Sequence, residues 1–293
     1  MSSSKGKNIL SLLGKSNSVK KTDSKITKIP KANLSSINNK NLNLNLNLKN
    51  TRLIDSKKFE YIKRNWSSGR STNWSALGSH GLVYKPNDLN IETFKKGCNE
   101  SGKKLKIASF DLDGTLIKTK SGLKFSRSSD DWIWFNDYVL TKIIELIKSD
   151  YLILIFTNQG GVVVKKGAKS VNNFTEKIEK IIDNLNENIK NDKSLEELPL
   201  LVYASAKKSK ASKPSEDDVF ASPIELHNSF RKPNTGMWDE FLELIDSIEG
   251  IVDFEESFYV GDAAGRPKDF SDSDKNFAKN IGLKFHVPED YFK

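Results

Sequence analysis

A chain of 293 residues, 37% of them apolar, can build one large or two small domains around a real core, and one α/β domain with an extension is the organisation expected. The single cysteine, Cys98, excludes a disulfide framework and a thiolate zinc site and points to a reducing compartment; no run of apolar residues is long enough for a membrane span or a secretory signal. The net charge of +9 belongs wholly to residues 1–55, where ten Lys and one Arg face Asp23 and Asp55. The other 36 basic and 36 acidic groups cancel, so global charge does not say whether the folded part meets nucleic acid.

Residues 1–55 hold no aromatic side chain and include the repeat NLNLNLNLK at Asn41 to Lys49. Such a segment buries too little apolar surface to offset the entropy of ordering, so a disordered, basic, low-complexity tail is expected, with the folded domain over 56–293. The tail suits a nuclear address or an electrostatic tether; a mitochondrial presequence is the weaker reading, because those are Arg-rich and amphipathic. Gly14-Lys15-Ser16 has the look of a phosphate-binding loop, but Ile9 stands where the loop's first glycine belongs.

From about Lys58 onward, apolar runs alternate with helix-period segments. Strands are expected at Leu105 to Phe110, Leu152 to Phe156, Leu200 to Tyr203, Ser257 to Val260 and Lys284 to Val287. Helices are expected at Tyr138 to Ile147, along Val171, Phe174, Ile178, Ile181 and Leu185, and along Met237, Phe241, Leu244 and Ile248. Strands alternating with helices imply a mostly parallel sheet covered on both faces. The segment Ala206 to Phe230, with its Lys/Ser run and Glu216, Asp217 and Asp218, breaks the order and is expected as a mobile surface insertion.

In an open parallel sheet, ligands gather at the carboxyl ends of the strands. Asp111-Leu112-Asp113-Gly114-Thr115 follows the first expected strand, Thr157-Asn158-Gln159 the second and Gly261-Asp262 the fourth, while Arg231-Lys232-Pro233 precedes the helix at Met237. These are the parts that phosphate monoester hydrolysis requires, since a dianion repels an anionic nucleophile and an alkoxide leaves poorly. A magnesium ion held by Asp111 and Asp262 lets Asp111 approach phosphorus and form an aspartyl-phosphate; Asp113, bent back by Gly114, protonates the leaving oxygen and then activates water. Thr157 offers a hydroxyl and Lys232 a point charge to the phosphoryl oxygens.

The same residues match the four motifs of the haloacid dehalogenase superfamily. The runs FDLDGTLIKTKSG, FTNQGG, RKPNTGMWDEF and GDAAGRPKDFSDSDKNFAKNIGL resemble the phosphatase domain of the polynucleotide kinase 3′-phosphatase family, and Asn73-Trp74 to Tyr84 resembles its approach segment. The likeness spans roughly residues 60 to 293. It implies a Rossmann-like, mostly parallel and essentially capless α/β fold, open to a polymer end. It also implies removal of 3′-phosphates from DNA strand-break ends in repair, in the nucleus, with Mg²⁺ as cofactor. By the resemblance Asp111, Asp113 and Asp262 are the metal ligands, Asp113 through its backbone. Thr157, Asn158 and Lys232 are the phosphate-binding positions and Arg231 is their basic neighbour.

Three departures from the family pattern stand out. Val162-Val163-Val164 occupy the place of a basic residue, leaving Lys165 and Lys166 as the DNA contacts there; the flap SGLKFSRSSDDW lacks a proline; and no kinase half with an ATP-binding loop is present, so 5′-phosphorylation is not expected. The expected partner is therefore DNA with 3′-phosphate ends, without ATP or membrane, and the chain is expected as a monomer. Among the acids behind Asp262, Asp274 is expected as the outer partner that orients a metal ligand, and Asp269 and Asp272 as caps or surface charge. Arg266 is open between a DNA phosphate contact and a structural ion pair. Trp238 is expected in the core, Trp132 and Trp134 as base-stacking candidates, and His286 as structural.

Overall fold

Three short runs ahead of the first motif form an antiparallel meander: β1 (Lys63–Ser68), β2 (Ser71–Leu77) and β3 (Gly81–Tyr84). Then come β4 (Lys106–Phe110), β5 (Ile117–Lys118), β6 (Ile133–Trp134), α1 (Tyr138–Lys148), β7 (Tyr151–Gln159) and α2 (Lys169–Lys190). The chain continues through β8 (Leu200–Ala206), α3 (Ile224–Ser229), α4 (Gly236–Leu244), β9 (Phe258–Val260), α5 (Ser273–Ile281), β10 (Lys284–His286) and α6 (Pro288–Tyr291). The structure is a computed structural model that describes residues 63–68, 71–91, 102–190, 198–208, 221–245 and 251–293. These all lie in the larger of two units into which the chain divides, Met1–Lys57 and Lys58–Lys293. The expected tail, Cys98, the acidic run Glu216 to Asp218 and Ile248 lie outside the described residues.

Among the described residues, eight strands join one sheet in the order β1-β2-β3-β8-β7-β4-β9-β10. The strands from β8 to β10 are mutually parallel, and β3 attaches the meander to β8 antiparallel. A parallel sheet needs cover on both faces, which explains why every residue of β8 is buried. The two-residue period of a strand divides the core accordingly. Ala108, Phe110, Ile153 and Ile155 face the cluster with α1 and α2, while Ile107, Leu152, Leu154 and Phe156 face the cluster with α4 and α5. Each fully buried Leu, Ile or Phe contributes about 1.5–3 kcal/mol, so the periodic stripes on these helices hold the layers together.

The order of the strands also locates the site. From β4 the chain runs to β7 and β8 on one side, then returns to β9 and β10 on the other. The carboxyl end of β4 is therefore the switch point, where flanking loops part and leave a crevice.

Three expectations are corrected. The meander was not foreseen as strands at all. Thr157, Asn158 and Gln159 do not follow the second parallel strand but end it, because pairing with β8 continues to Gln159 opposite Ala206. The supposed insertion is integrated at its carboxyl side: Ser222, Leu226, His227 and Phe230 are buried, and Phe230 packs into the core so closely that a Cβ on Gly81 would lie 2.5 Å from its ring. Two reciprocal hydrogen bonds, Ser222 N–H to Ser79 Oγ (2.9 Å) and Ser79 N–H to Ser222 Oγ (3.0 Å), staple it to the β2–β3 turn.

Candidate active site

Asp111 is the first residue beyond β4, and its N–H is given to the Val260 carbonyl of β9 at 2.9 Å. The turn that follows must carry a glycine. Gly114 has φ +89°, and a Cβ there would sit 2.5 Å from Asp262 Oδ2, so its bare Cα admits the carboxylate that follows β9. Gly261 does the same for α5: a Cβ on it would lie 2.5 Å from Asp274 Cβ. The carboxylates of Asp111, Asp262 and Asp274 consequently converge, with one oxygen of each within 4.8 Å of the others.

Between them stands Lys232, almost wholly buried. Its ammonium lies 2.6 Å from Asp111 Oδ1, 2.8 Å from Asp274 Oδ1, 2.6 Å from the Phe156 carbonyl and 2.8 Å from the Tyr259 hydroxyl. Asn158 grips the main chain of the same residue, donating to the Lys232 carbonyl and accepting from its N–H, both at 3.0 Å. The end of β7 thus fixes the lysine at both ends. Asp274 is equally committed, accepting from Tyr259 OH (3.0 Å) through Oδ1 and from Ala263 N–H (3.0 Å) through Oδ2.

Burial alone would lower the Lys232 ammonium, but Asp111 and Asp274 outweigh it and push the group above the ordinary lysine range, so it stays charged. Burial drives the Asp111 carboxyl well above its ordinary value, against the pull of Lys232. Asp262 is pushed up to about 6 by burial and then by Asp274. Three carboxylates around one ammonium leave the cluster short of positive charge. Asp262 Oδ1 is moreover buried without a hydrogen-bond partner, an expensive state for an acidic oxygen. An orphaned carboxylate oxygen beside a second carboxylate is what a hard divalent cation takes up. The donor set fits such an ion.

The outer half of the site is built differently. Asp113, with a side chain 48% exposed, accepts from Gln159 Nε2 at 2.8 Å through Oδ2 and from Lys177 Nζ at 3.1 Å through Oδ1. The alternation of β7 puts Gln159 and buried Thr157 on one face, and the same amide donates to Thr157 Oγ1 at 2.8 Å. Among the described residues, Arg231, Lys165 and Lys166 have no acidic partner, and Arg231 lies over Gly160 just beyond β7. Lys207 and Lys208, which sequence reasoning did not single out, follow β8 on the same edge, and Lys207 N–H bonds the Val162 carbonyl at 2.7 Å. Arg266 makes ion pairs on the loop after Asp262. Its guanidinium meets Asp269 (2.9 Å), Glu289 (3.2 Å) and the Asp262 carbonyl (3.1 Å), and so steadies the loop that carries Asp262. Asp269 also accepts the Ala264 and Arg266 N–H groups, whereas Asp272 heads α5 without a side-chain bond.

The tryptophans divide. Trp238 is in the core. Trp132 and Trp134 are half-buried against the core and stack edge to face at 5.5 Å, with the Trp134 indole N–H spent on Asn184 at 3.1 Å. His286 is exposed on the edge strand and packs against Phe258 and Tyr291. Tyr259, Gln159 and Lys177 are the polar residues of the site to which no role had been given. The one sequence signal for Lys177 is a lysine three residues after Phe174, at the margin of the apolar stripe of α2.

A family model described as polynucleotide kinase 3 phosphatase matches residues 106–292. The chain belongs to the polynucleotide kinase 3 phosphatase family. It is 36% identical over 239 residues to a polynucleotide 3′-phosphatase of Saccharomyces cerevisiae, a match covering 73% of this chain and 99% of that protein. A bifunctional polynucleotide phosphatase/kinase of Schizosaccharomyces pombe is 39% identical over 187 residues, covering 64% of this chain but 37% of that protein. A polynucleotide 3′-phosphatase of Arabidopsis thaliana is 35% identical over 198 residues, covering 67% of this chain and 25% of that protein. The match thus spans nearly all of the budding-yeast relative and a minor part of the other two. Every site motif, from Asp111 to Asp274, falls inside the matched segment.

Proposed function

We propose that this chain is a Mg²⁺-dependent polynucleotide 3′-phosphatase that clears 3′-phosphates from broken DNA ends in repair. The observation that carries the reading is the buried Asp111–Lys232–Asp274 cluster with the orphaned Asp262 oxygen beside it, at the switch point of an α/β sheet whose family is established. Asp111, Asp262 and the main-chain carbonyl of Asp113 would hold the ion, which when bound cancels carboxylate charge and draws on a phosphate oxygen.

The protein's own groups do the rest. Lys232 fixes the Asp111 carboxylate and lends its charge to the phosphoryl oxygens, while Thr157 supplies a hydroxyl to them. Asp111 attacks phosphorus, the bond to the 3′-oxygen breaks, and Asp113 gives that oxygen a proton; an aspartyl-phosphate and a 3′-hydroxyl result. Asp113, now a carboxylate, takes a proton from the water that attacks phosphorus, and inorganic phosphate leaves with Asp111 restored. Asn158 contributes by holding the Lys232 backbone.

Among the described residues, only the two-stranded β5–β6 flap stands between β4 and α1, which leaves the crevice accessible to a polymer end. Lys165, Lys166, Lys207, Lys208 and Arg231 line the neighbouring edge with charge suited to backbone phosphates. A nuclear site of action, with the basic tail as address or tether, belongs to the same proposal. Purified protein with Mg²⁺ should convert a 3′-phosphorylated nicked duplex to the 3′-hydroxyl form and release phosphate from small esters far more slowly. Preference for a sugar phosphate, with the nicked duplex untouched, would show a metabolite phosphatase instead.

A further inference from the structure

Lys177 makes an unusual pairing. Its side chain is 6% exposed, yet the ammonium is directed outward at Asp113, whose side chain is 48% exposed. Sinking a lysine into α2 costs desolvation that half-exposed Asp113 at 3.1 Å, with Asp131 as a further counter-charge near it, repays poorly, and an apolar side chain of the same length would serve the fold as well or better. A group kept at the expense of stability points to function.

Its neighbours on the helix reinforce this. Lys177, Lys180 and Asn184 are spaced by three and four, so they share one face of α2. That face holds the whole stretch after the first motif: Lys177 takes Asp113, Lys180 takes Asp130 (2.5 Å) and Ser129 (2.9 Å) of the flap, and Asn184 takes the Trp134 indole N–H (3.1 Å). A single rigid helix therefore sets Asp113 and the flap in one frame.

We propose that Lys177, together with Gln159, is the positioning residue of the acid/base: a two-point clamp that aims the Asp113 carboxyl at the leaving oxygen. The clamp occupies one lone pair on each oxygen, and a carboxylate offers about four such sites. The remaining ones are free to carry the proton to the 3′-oxygen and to accept one from water in the second half of the reaction. This inference rests on the assignment of Asp113 under the proposed function.

Leaving groups separate a clamp from mere scaffolding. A 3′-alkoxide needs a well-aimed proton; 4-nitrophenolate departs without one. Lys177→Met keeps the packed stem and removes the ammonium. Its kcat/KM on a 3′-phosphorylated oligonucleotide, which reports the leaving-group step and not the shared hydrolysis of the aspartyl-phosphate, should fall about 10- to 100-fold, while kcat/KM for 4-nitrophenyl phosphate falls less than about threefold and Tm is unchanged or higher. Lys177→Arg should recover part of the loss on DNA. Equal losses on both esters, or no loss on DNA, would overturn the clamp. If Lys177→Met does not fold, Lys177→Gln reads the same ratio of the two esters with a smaller expected change. Should the unaltered protein ignore DNA ends, the functional reading fails by itself, and the clamp is then judged on a simple alkyl phosphate against the aryl one.

Discussion

The two halves of the site solve opposite problems. In the inner half, Asp111, Asp274 and Lys232 are buried and the lysine's ammonium is surrounded by oxygens. In the outer half, Asp113 keeps much of its surface in solvent and is held at two points only. Burial fixes charge inside, because in a medium of low polarizability an unmatched ion is costly. Exposure leaves the outer carboxyl within reach of substrate and water. Substitutions inside should therefore reach the fold, and substitutions outside should reach chiefly the rate.

The sharpest way to break this contrast is at Lys232. Lys232→Met removes the cation that separates Asp111 from Asp274, leaving buried carboxylates opposed, and should destabilise by about 3–5 kcal/mol and abolish turnover. Denaturant unfolding followed by fluorescence measures the first; an unchanged midpoint would show that the inner cluster is not a charge-compensated unit. Asp111→Asn keeps an acceptor for the lysine and leaves Asp274 as its counter-charge, so it should lower turnover by about 10⁴-fold or more while destabilising less than Lys232→Met. Asp113→Asn comes next. Its kcat on a 3′-phosphorylated duplex should drop about 10²- to 10⁴-fold, with a loss of stability smaller than that of Lys232→Met, because the amide still offers Lys177 an acceptor but no charge.

A smaller effect tests the missing positive charge. The Asp262 carboxyl is pushed up to about 6, above its value in the unfolded chain. Between the ordinary carboxylate range and about 6 the folded state holds a proton the unfolded chain has released, so its contribution to stability is present at low pH and is lost as pH rises through that window. Binding a cation requires the deprotonated form. The rise in Tm caused by Mg²⁺ should accordingly be larger at about pH 7.5 than at about pH 5, and should largely vanish in Asp262→Asn. A shift independent of pH would place the ion elsewhere.

Asp111, Asp113 and Asp262 stood out in the sequence because they come directly after apolar strands, where chain order alone puts them at the sheet edge, and Lys232 because an Arg-Lys-Pro run precedes an amphipathic helix. What escaped depends on contacts distant in sequence. Whether Thr157 to Gln159 end a strand or follow it is decided by β8, and burial of residues 222–230 is decided by the β2–β3 turn. Strand β2 mixes exposed and buried positions, and Trp74 is buried with its indole N–H given to Glu179, 105 residues away, at 2.9 Å. Lys177 lies 64 residues from Asp113, and a lysine on a helix normally signals the solvated side.

The smallest expected effect is the most discriminating about how the inner cluster is balanced. Tyr259 donates to Asp274 Oδ1 and lies 2.8 Å from the Lys232 ammonium, a central-looking place. Yet an ammonium has three hydrogens, and Lys232 is surrounded by four oxygens. Removing the tyrosine hydroxyl leaves Asp111, Asp274 and the Phe156 carbonyl, one acceptor for each hydrogen, while Asp274 retains Lys232 and the Ala263 N–H. Tyr259→Phe should thus cost only about 0.5–1.5 kcal/mol, the net worth of an ordinary hydrogen bond, and change kcat by less than about fivefold, whereas Lys232→Met fails on both counts. A loss from Tyr259→Phe comparable to that from Lys232→Met would mean that the hydroxyl, and not the pair of carboxylates, sets the position of the lysine.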